Sequence, residues 1–224
     1  FAQIATPVGT SHSDTGLIAT TSYSYRVRAR DAAGNFSPYS ATASAITASG
    51  FPLVVSANKR YLQDQNNVPF PILGRTAWFL TSLPQPDYRT FIDDTVAKGY
   101  NAIEFHVINH DPRGNNPPRN GNGDLPFLRQ LDGNSWSGAL YPNYVNINSQ
   151  APDLATPNES YWSFVDALLA YAESKGVLCF MFPAYAGAAT TDQGWMNEMI
   201  ANGTSGMRAY GTFIANRYKT RGNI

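Results

Sequence analysis

Twice in this chain a stretch with helical spacing ends on a glycine and gives way, within three residues, to a short apolar run. Gly99 follows a face made by Tyr88, Phe91, Ile92 and Val96, spaced i, i+3, i+4 and i+8, and residues 102–108 come next. Gly176 follows a face made by Tyr161, Val165, Leu168 and Ala172, which Asn158 is placed to cap, and residues 177–183 come next. Glycine ends helices because it takes the left-handed conformation without a Cβ clash. A strand ending near Trp78 precedes the first helix, and Met207, Tyr210, Ile214 and Tyr218 mark a third helix. Strand and helix alternating with such short returns is the pattern of parallel βαβ units.

The joints are unequal. The helix-to-strand links are short, whereas the strand-to-helix links run over 109–157 and 184–205. Both a doubly wound sheet and a (β/α)8 barrel carry their functional loops after the strands. No glycine-rich phosphate-binding turn follows any strand, so no nucleotide cofactor is expected, and a barrel accounts for the pattern better. Upstream, residues 54–64 and 68–73 flank Gln65-Asn66-Asn67, which predicts a hairpin leading into the first strand.

Residues 1–48 read differently. Tyr23, Tyr25, Val27 and Ala29 fall at alternate positions, the period of a half-buried strand, and Asp31-Ala-Ala-Gly34-Asn35 supplies a turn before a weaker strand at 40–47. The run from Leu17 through Thr21, Tyr23, Tyr25 and Val27 resembles the second half of a fibronectin type III module, with Tyr23 at the place of that family's corner tyrosine. The resemblance implies a partial all-β sandwich over 1–48; a small-residue linker at 49–51 and the alternating units of 52–224, the first portion of a (β/α)8 barrel of about three βα units, complete the expected organisation.

Sixteen basic and sixteen acidic residues cancel, which leaves no electrostatic footprint for nucleic acid. No segment approaches the length of a membrane-spanning helix, so membrane insertion is not expected. Charged residues are only 14% of the chain, while Gly, Pro, Asn and aromatics are plentiful, a mix suited to uncharged ligands such as sugars. The single cysteine, Cys179, lies in an apolar run and reads as a buried structural thiol.

The residues Lys59-Arg-Tyr61-Leu62, Pro69-Phe70 with Gly74-Arg-Thr76-Ala77-Trp78, Lys98-Gly99-Tyr100-Asn101, Tyr161-Trp-Ser-Phe164-Val-Asp166, Glu173-Ser-Lys175-Gly176 and Asn216-Arg217-Tyr218 occur in the order of another family. With this spacing, residues 52–224 resemble the N-terminal part of the apiosidase-like glycoside hydrolases. The resemblance implies a secreted parent enzyme, extracellular or at the cell surface, that cleaves O-glycosidic bonds in a polysaccharide. It also implies that the two carboxylates such chemistry needs lie beyond residue 224, so that the chain alone is expected to be inactive. The other reading is a non-catalytic carbohydrate-binding or adhesion protein on the same scaffold. One position departs from the family's Gly-Asp-Thr-Ala-Trp form: the acidic place is Arg75.

Alternation in the second barrel strand points Ile103, Phe105 and Val107 towards helices, and Glu104 and His106 into the barrel. His106 reads as a sugar contact or as a satisfied core histidine. Asn109 and His110, at the strand's mouth, read as ligands for sugar hydroxyls or as ordinary turn chemistry. Trp78, Tyr185 and Trp195 come just after strands one and three and are placed to line the pocket. Phe127, Trp136, Tyr141 and Tyr144 in the long loop stack on sugars or pin the loop as a satellite core. Arg75 is expected to point inward and pair with Glu104 as a structural ion pair. His106, His110 and Asp111 lie close together as possible metal ligands, but no Cys or Glu partner stands at ligand spacing from them, and no metal is expected.

Overall fold

The computed structural model describes residues 1–224 except 8, 10, 15–16, 18–20, 48–49, 142–148 and 189–192. It divides into two compact units, Phe1–Phe70 and Pro71–Ile224.

In the first unit β1 (Ser22–Tyr25) pairs antiparallel with β2 (Ala43–Ile46), Tyr23 opposite Ala45. The pairing continues beyond the ladder, where the Ser40 and Ser37 amides donate to the Val27 and Ala29 carbonyls. Tyr23 and Tyr25 are half-buried as their period requires, but Val27 is exposed: no second layer covers it among the described residues. Further on, the expected continuous strand over 54–64 is instead a hairpin of its own. β3 (Val54–Val55) pairs with β4 (Leu62–Gln63) around a turn in which Lys59 takes φ +58°, and the Ser56 hydroxyl accepts the Arg60 and Tyr61 amides. The turn at 65–67 forms as read, with Asp64 accepting the Asn66 and Val68 amides.

The second unit is built on three parallel strands. β6 (Ala102–His106) lies between β5 (Gly74–Thr76) and β7 (Leu178–Phe182), with Thr76, Glu104 and Phe180 in register. Helices α1 (Gln85–Ala97) and α2 (Glu159–Ser174) connect them, and α3 (Met196–Tyr218) follows β7. Asn158 caps α2 by accepting the Ser160 amide, and Gly99 and Gly176 take φ +79° and +71° beyond the two helix ends. Ile103 and Phe105 of β6 are fully buried in one core with Tyr88 and Ile92 of α1 and Tyr161, Val165 and Leu168 of α2. Val96, read as part of the α1 face, is exposed, and Thr95 is buried in its stead.

One expectation changes here. The run Met196–Tyr218 is two helices joined at Gly203, whose φ of +59° and ψ of −170° are not helical: the helix read from about 205 is present, and the expected loop before it holds a further helix from Met196. The described part of the 109–157 segment, which leaves out 142–148, is a layer folded on itself, the satellite-core alternative for this loop. Asn109, Asn120, Asp111 and Asp132 each accept backbone amides two residues on, and short bridges join Phe127 to Pro157 and Gln130 to Pro152. Phe127 and Trp136 are buried against Trp195, with Tyr210 of α3 edge-on to Phe127, which is the satellite core. Tyr144 lies outside the described residues.

The layer is anchored where the Gly121 amide donates to the Thr81 carbonyl. A Cβ at Gly121 would collide with the Leu83 carbonyl. Gly121→Ala is therefore expected to destabilise the protein by about 1–3 kcal/mol, the range for forced overpacking, read as a lower urea midpoint at unchanged slope.

Candidate active site

One face of the parallel sheet meets the helices; the other is open and carries the side chains of alternate parity. Thr76, Glu104 and Phe180 form one tier of that face, and the Thr76 hydroxyl donates to Glu104 Oε1 at 2.8 Å. The next tier, at the C-terminal end of the strands, is aromatic. The His106 ring lies nearly parallel to Trp78 (centroids 5.9 Å apart, planes 5°) and to Tyr185 (5.1 Å, 16°), with Phe182 edge-on at 6.2 Å. Trp78 is held there because its carbonyl accepts the His106 amide, which prolongs the β5–β6 pairing. Trp78, Tyr185, Phe180 and Phe182 are 45%, 39%, 43% and 46% exposed. Four large aromatics left so open on one sheet face are a binding surface or an interface, because burying them would each stabilise the fold.

The structure thus brings Trp78, His106 and Tyr185 together, as their positions after the strands suggested. Asn109, His110 and Trp195 stand apart from them and are buried. Asn109 donates to the Ser82 hydroxyl, and Trp195 Nε1 donates to the Ile108 carbonyl. His110 Nε2 lies 3.1 Å from Glu198 Oε1, both side chains being almost wholly enclosed, and the His110 ring meets Trp195 edge-on. His110 and Trp195 hold the mouth of β6 against the start of α3, and Asn109 ties it to Ser82. Glu198 was not singled out from the sequence. Its i+3 spacing from Trp195, on the first turn of a helix that had been read as loop, was the available signal.

Arg75 corrects an expectation. Its Cα is in register with Ile103, the helix-facing parity, so its side chain leaves the outer face. There it donates to Asp94 at 2.9 Å and to the Thr95 hydroxyl at 3.2 Å, with its guanidinium over Phe91 (4.6 Å). Glu104 pairs with Thr76 instead. Lys98 and Arg75 together hold Asp94 below the usual carboxylate range.

Electrostatics at the site follow from burial. Desolvation pushes the His106 imidazole below its ordinary value of 6.5, outweighing attraction from Asp111 and Glu104. Asp111 is held low by hydrogen bonds from Arg113. Cys179 is buried and its thiol is pushed up to about 12 by desolvation, so it is no nucleophile at neutral pH. Among the described residues no group of three or more His, Cys, Asp or Glu is arranged to hold a metal ion, and no helix is long and apolar enough to cross a membrane.

A parallel α/β sheet open on one face, with aromatics at the strand ends, is an architecture shared with glycoside hydrolases. The fold is similar to a solved glycoside hydrolase at 27% identity (TM-score 0.54, covering 79% of this chain and 33% of that one). It is also similar to a glycoside hydrolase family 5 protein from Bacteroides vulgatus at 24% identity (TM-score 0.52, 79% and 32%), a likeness of fold alone. Residues 56–224 match the family described as Apiosidase-like, catalytic domain, and the chain belongs to that family. A curated alpha-amylase from Niallia circulans is 46% identical over 59 residues, 26% of this chain and 5% of that protein. The chain thus spans about a third of the length of these solved structures and a small part of the curated relative.

Two outcomes are expected. First, His106 binds its proton less tightly folded than unfolded, so its contribution to stability is complete above 6.5 and is lost as pH falls from there through the lower folded pKa. An NMR titration should find its midpoint below 6.5, and His106→Gln should flatten that limb of the stability curve. Second, Glu198→Ala should cost about 2–4 kcal/mol by leaving a buried polar group and a cavity, and Glu198→Gln distinctly less, both read by urea unfolding.

Proposed function

We propose that the open face of the sheet binds a polysaccharide and that the whole protein hydrolyses an O-glycosidic bond in it. The observation that carries this reading is the aromatic tier at the C-terminal ends of the parallel strands, in which exposed Trp78, Tyr185 and Phe182 surround a buried His106. Sugar rings present C–H faces that pack on aromatic surfaces and hydroxyls that need hydrogen-bonding partners. A His106 kept neutral by burial both donates and accepts, which suits an uncharged hydroxyl. Membership of an apiosidase-like catalytic family supports hydrolysis as the reaction.

Hydrolysis requires two carboxylates about 5–10 Å apart across the scissile bond. Glu104 is the carboxylate of the open face among the described residues, and its Thr76 partner and depth in the strand fit a positioning role. We assign the acid/base pair to residues outside this chain and place the protein outside the cell, acting on plant or microbial side-chain glycans. The segment 1–48 then serves as a fibronectin type III-like spacer.

Neutral oligosaccharides from plant cell walls should quench the fluorescence of the chain through Trp78 and bind measurably by calorimetry. Trp78→Ala should weaken that binding by roughly 1 kcal/mol or more, with Tyr185→Ala close behind. Wild-type affinity in both variants, with the fold intact by circular dichroism, would remove the aromatic tier from the binding site. Turnover of aryl glycosides by residues 1–224 would show that the catalytic carboxylates have been misassigned.

A further inference from the structure

The hairpin of the first unit carries a feature that the sheet face does not use. Arg26, Arg28 and Arg30 stand at alternate positions after β1, so their side chains leave one face of the segment. Rings from the returning limb interleave with them. Arg26 lies 4.0 Å from the Tyr39 ring centre, Arg28 3.8 Å from Phe36 and 4.7 Å from Tyr39, and Arg30 5.6 Å from Phe36. The order is cation, ring, cation, ring, cation, and all five side chains are exposed.

The backbone fixes this ladder. The Ser40 and Ser37 amides donate to Val27 and Ala29, and the hydroxyls of the same serines accept the Val27 and Ala29 amides at 3.0 and 2.9 Å. Arg30 bridges to Phe36 across a turn that Asp31 ties by accepting the Asn35 amide at 2.8 Å. Gly34 sits in that turn at φ +94°, and a Cβ there would press on the Arg30 guanidinium. No carboxylate pairs with any of the three cations among the described residues, and the undescribed residues of this unit include no Asp or Glu. The nearest acids in sequence are engaged elsewhere, Asp14 with Tyr25 and Asp31 with Asn35.

We propose that this ladder is a docking surface for an acidic polysaccharide, whose uronate carboxylates accept paired hydrogen bonds from the guanidinium edges. The choice of a glycan rests on the carbohydrate reading above; the anionic character rests on the ladder alone. Ring stacking leaves the edges of each guanidinium, where its N–H groups point, free to meet a planar carboxylate. Side chains already held in a stack lose little rotamer freedom on binding. Single-stranded nucleic acid is the poorer fit, because its bases need open ring faces and here the cations occupy them. A duplex needs a broad basic surface, which a chain with balanced charge does not offer.

The test is calorimetry on the intact chain with polygalacturonate, dextran sulfate, an uncharged β-glucan and a single-stranded oligonucleotide. Polygalacturonate should bind best, and added salt should weaken it. The triple variant R26Q/R28Q/R30Q should lose roughly tenfold or more of that affinity, and R26K/R28K/R30K should fall between, since lysine keeps the charge without the planar fork. Lysine variants that bind as tightly as wild type would overturn the paired carboxylate geometry. Absent binding of polygalacturonate, or tighter binding of the sulfate polymer or the oligonucleotide, would overturn the proposal from wild-type protein alone, however the variants fold, as would neutral-glucan binding that the glutamine triple weakens equally. Trp78→Ala separates the two sites: it should weaken neutral-oligosaccharide binding and leave polygalacturonate binding unchanged, while the glutamine triple should weaken polygalacturonate binding and leave the neutral oligosaccharide.

Discussion

Strand β6 sits between its two neighbours, and the alternation of its side chains decides what the rest of the second unit can be. Ile103 and Phe105 enter the core with α1 and α2, so Glu104 and His106 are directed to the other face. Register then carries the same parity into β5 and β7. Thr76 and Phe180 stand beside Glu104, and Phe182 beside His106. A slip of one residue would put Phe180 and Phe182 among the helices and Arg75 on the open face. The aromatic tier is thus a by-product of core packing: hydrophobic burial on one side fixes which side chains the open face carries on the other.

Most of the second unit's architecture was legible because its signals are local. Helical spacing, an N-cap at Asn158 and glycines beyond two helix ends are properties of a few neighbouring residues, and the structure has each of them. The failures came where one local signal had two uses. Residues 196–202 were read as loop and are helical, set off from the rest of α3 by the non-helical Gly203. The polar, glycine-rich stretch of 109–157 looked open, yet its Asn and Asp side chains satisfy the backbone from within and so let it pack.

The site divides along the same line. Trp78, His106 and Tyr185 were found because a strand's end and its parity place them with little help from elsewhere. Asn109, His110 and Trp195 also follow strands, but partners distant in sequence, Ser82, Glu198 and Ile108, draw them into the core. No spacing rule marks such long-range capture. The three-residue strand β5 was too short to display its own parity, which is why the facing of Arg75 had to come from its register with Ile103.

That facing has an electrostatic corollary. Position 75 lies on the helix side of the sheet, where Asp94 and Lys98 of α1 wait for it. An acid placed there in an otherwise unchanged chain would confront Asp94 across the gap that the guanidinium now spans. The arginine and the aspartate therefore form one electrostatic unit, and a change of charge at either is felt at the other. A substitution at this point of the strand changes how a helix is fastened to its sheet, and leaves the open face of the sheet untouched.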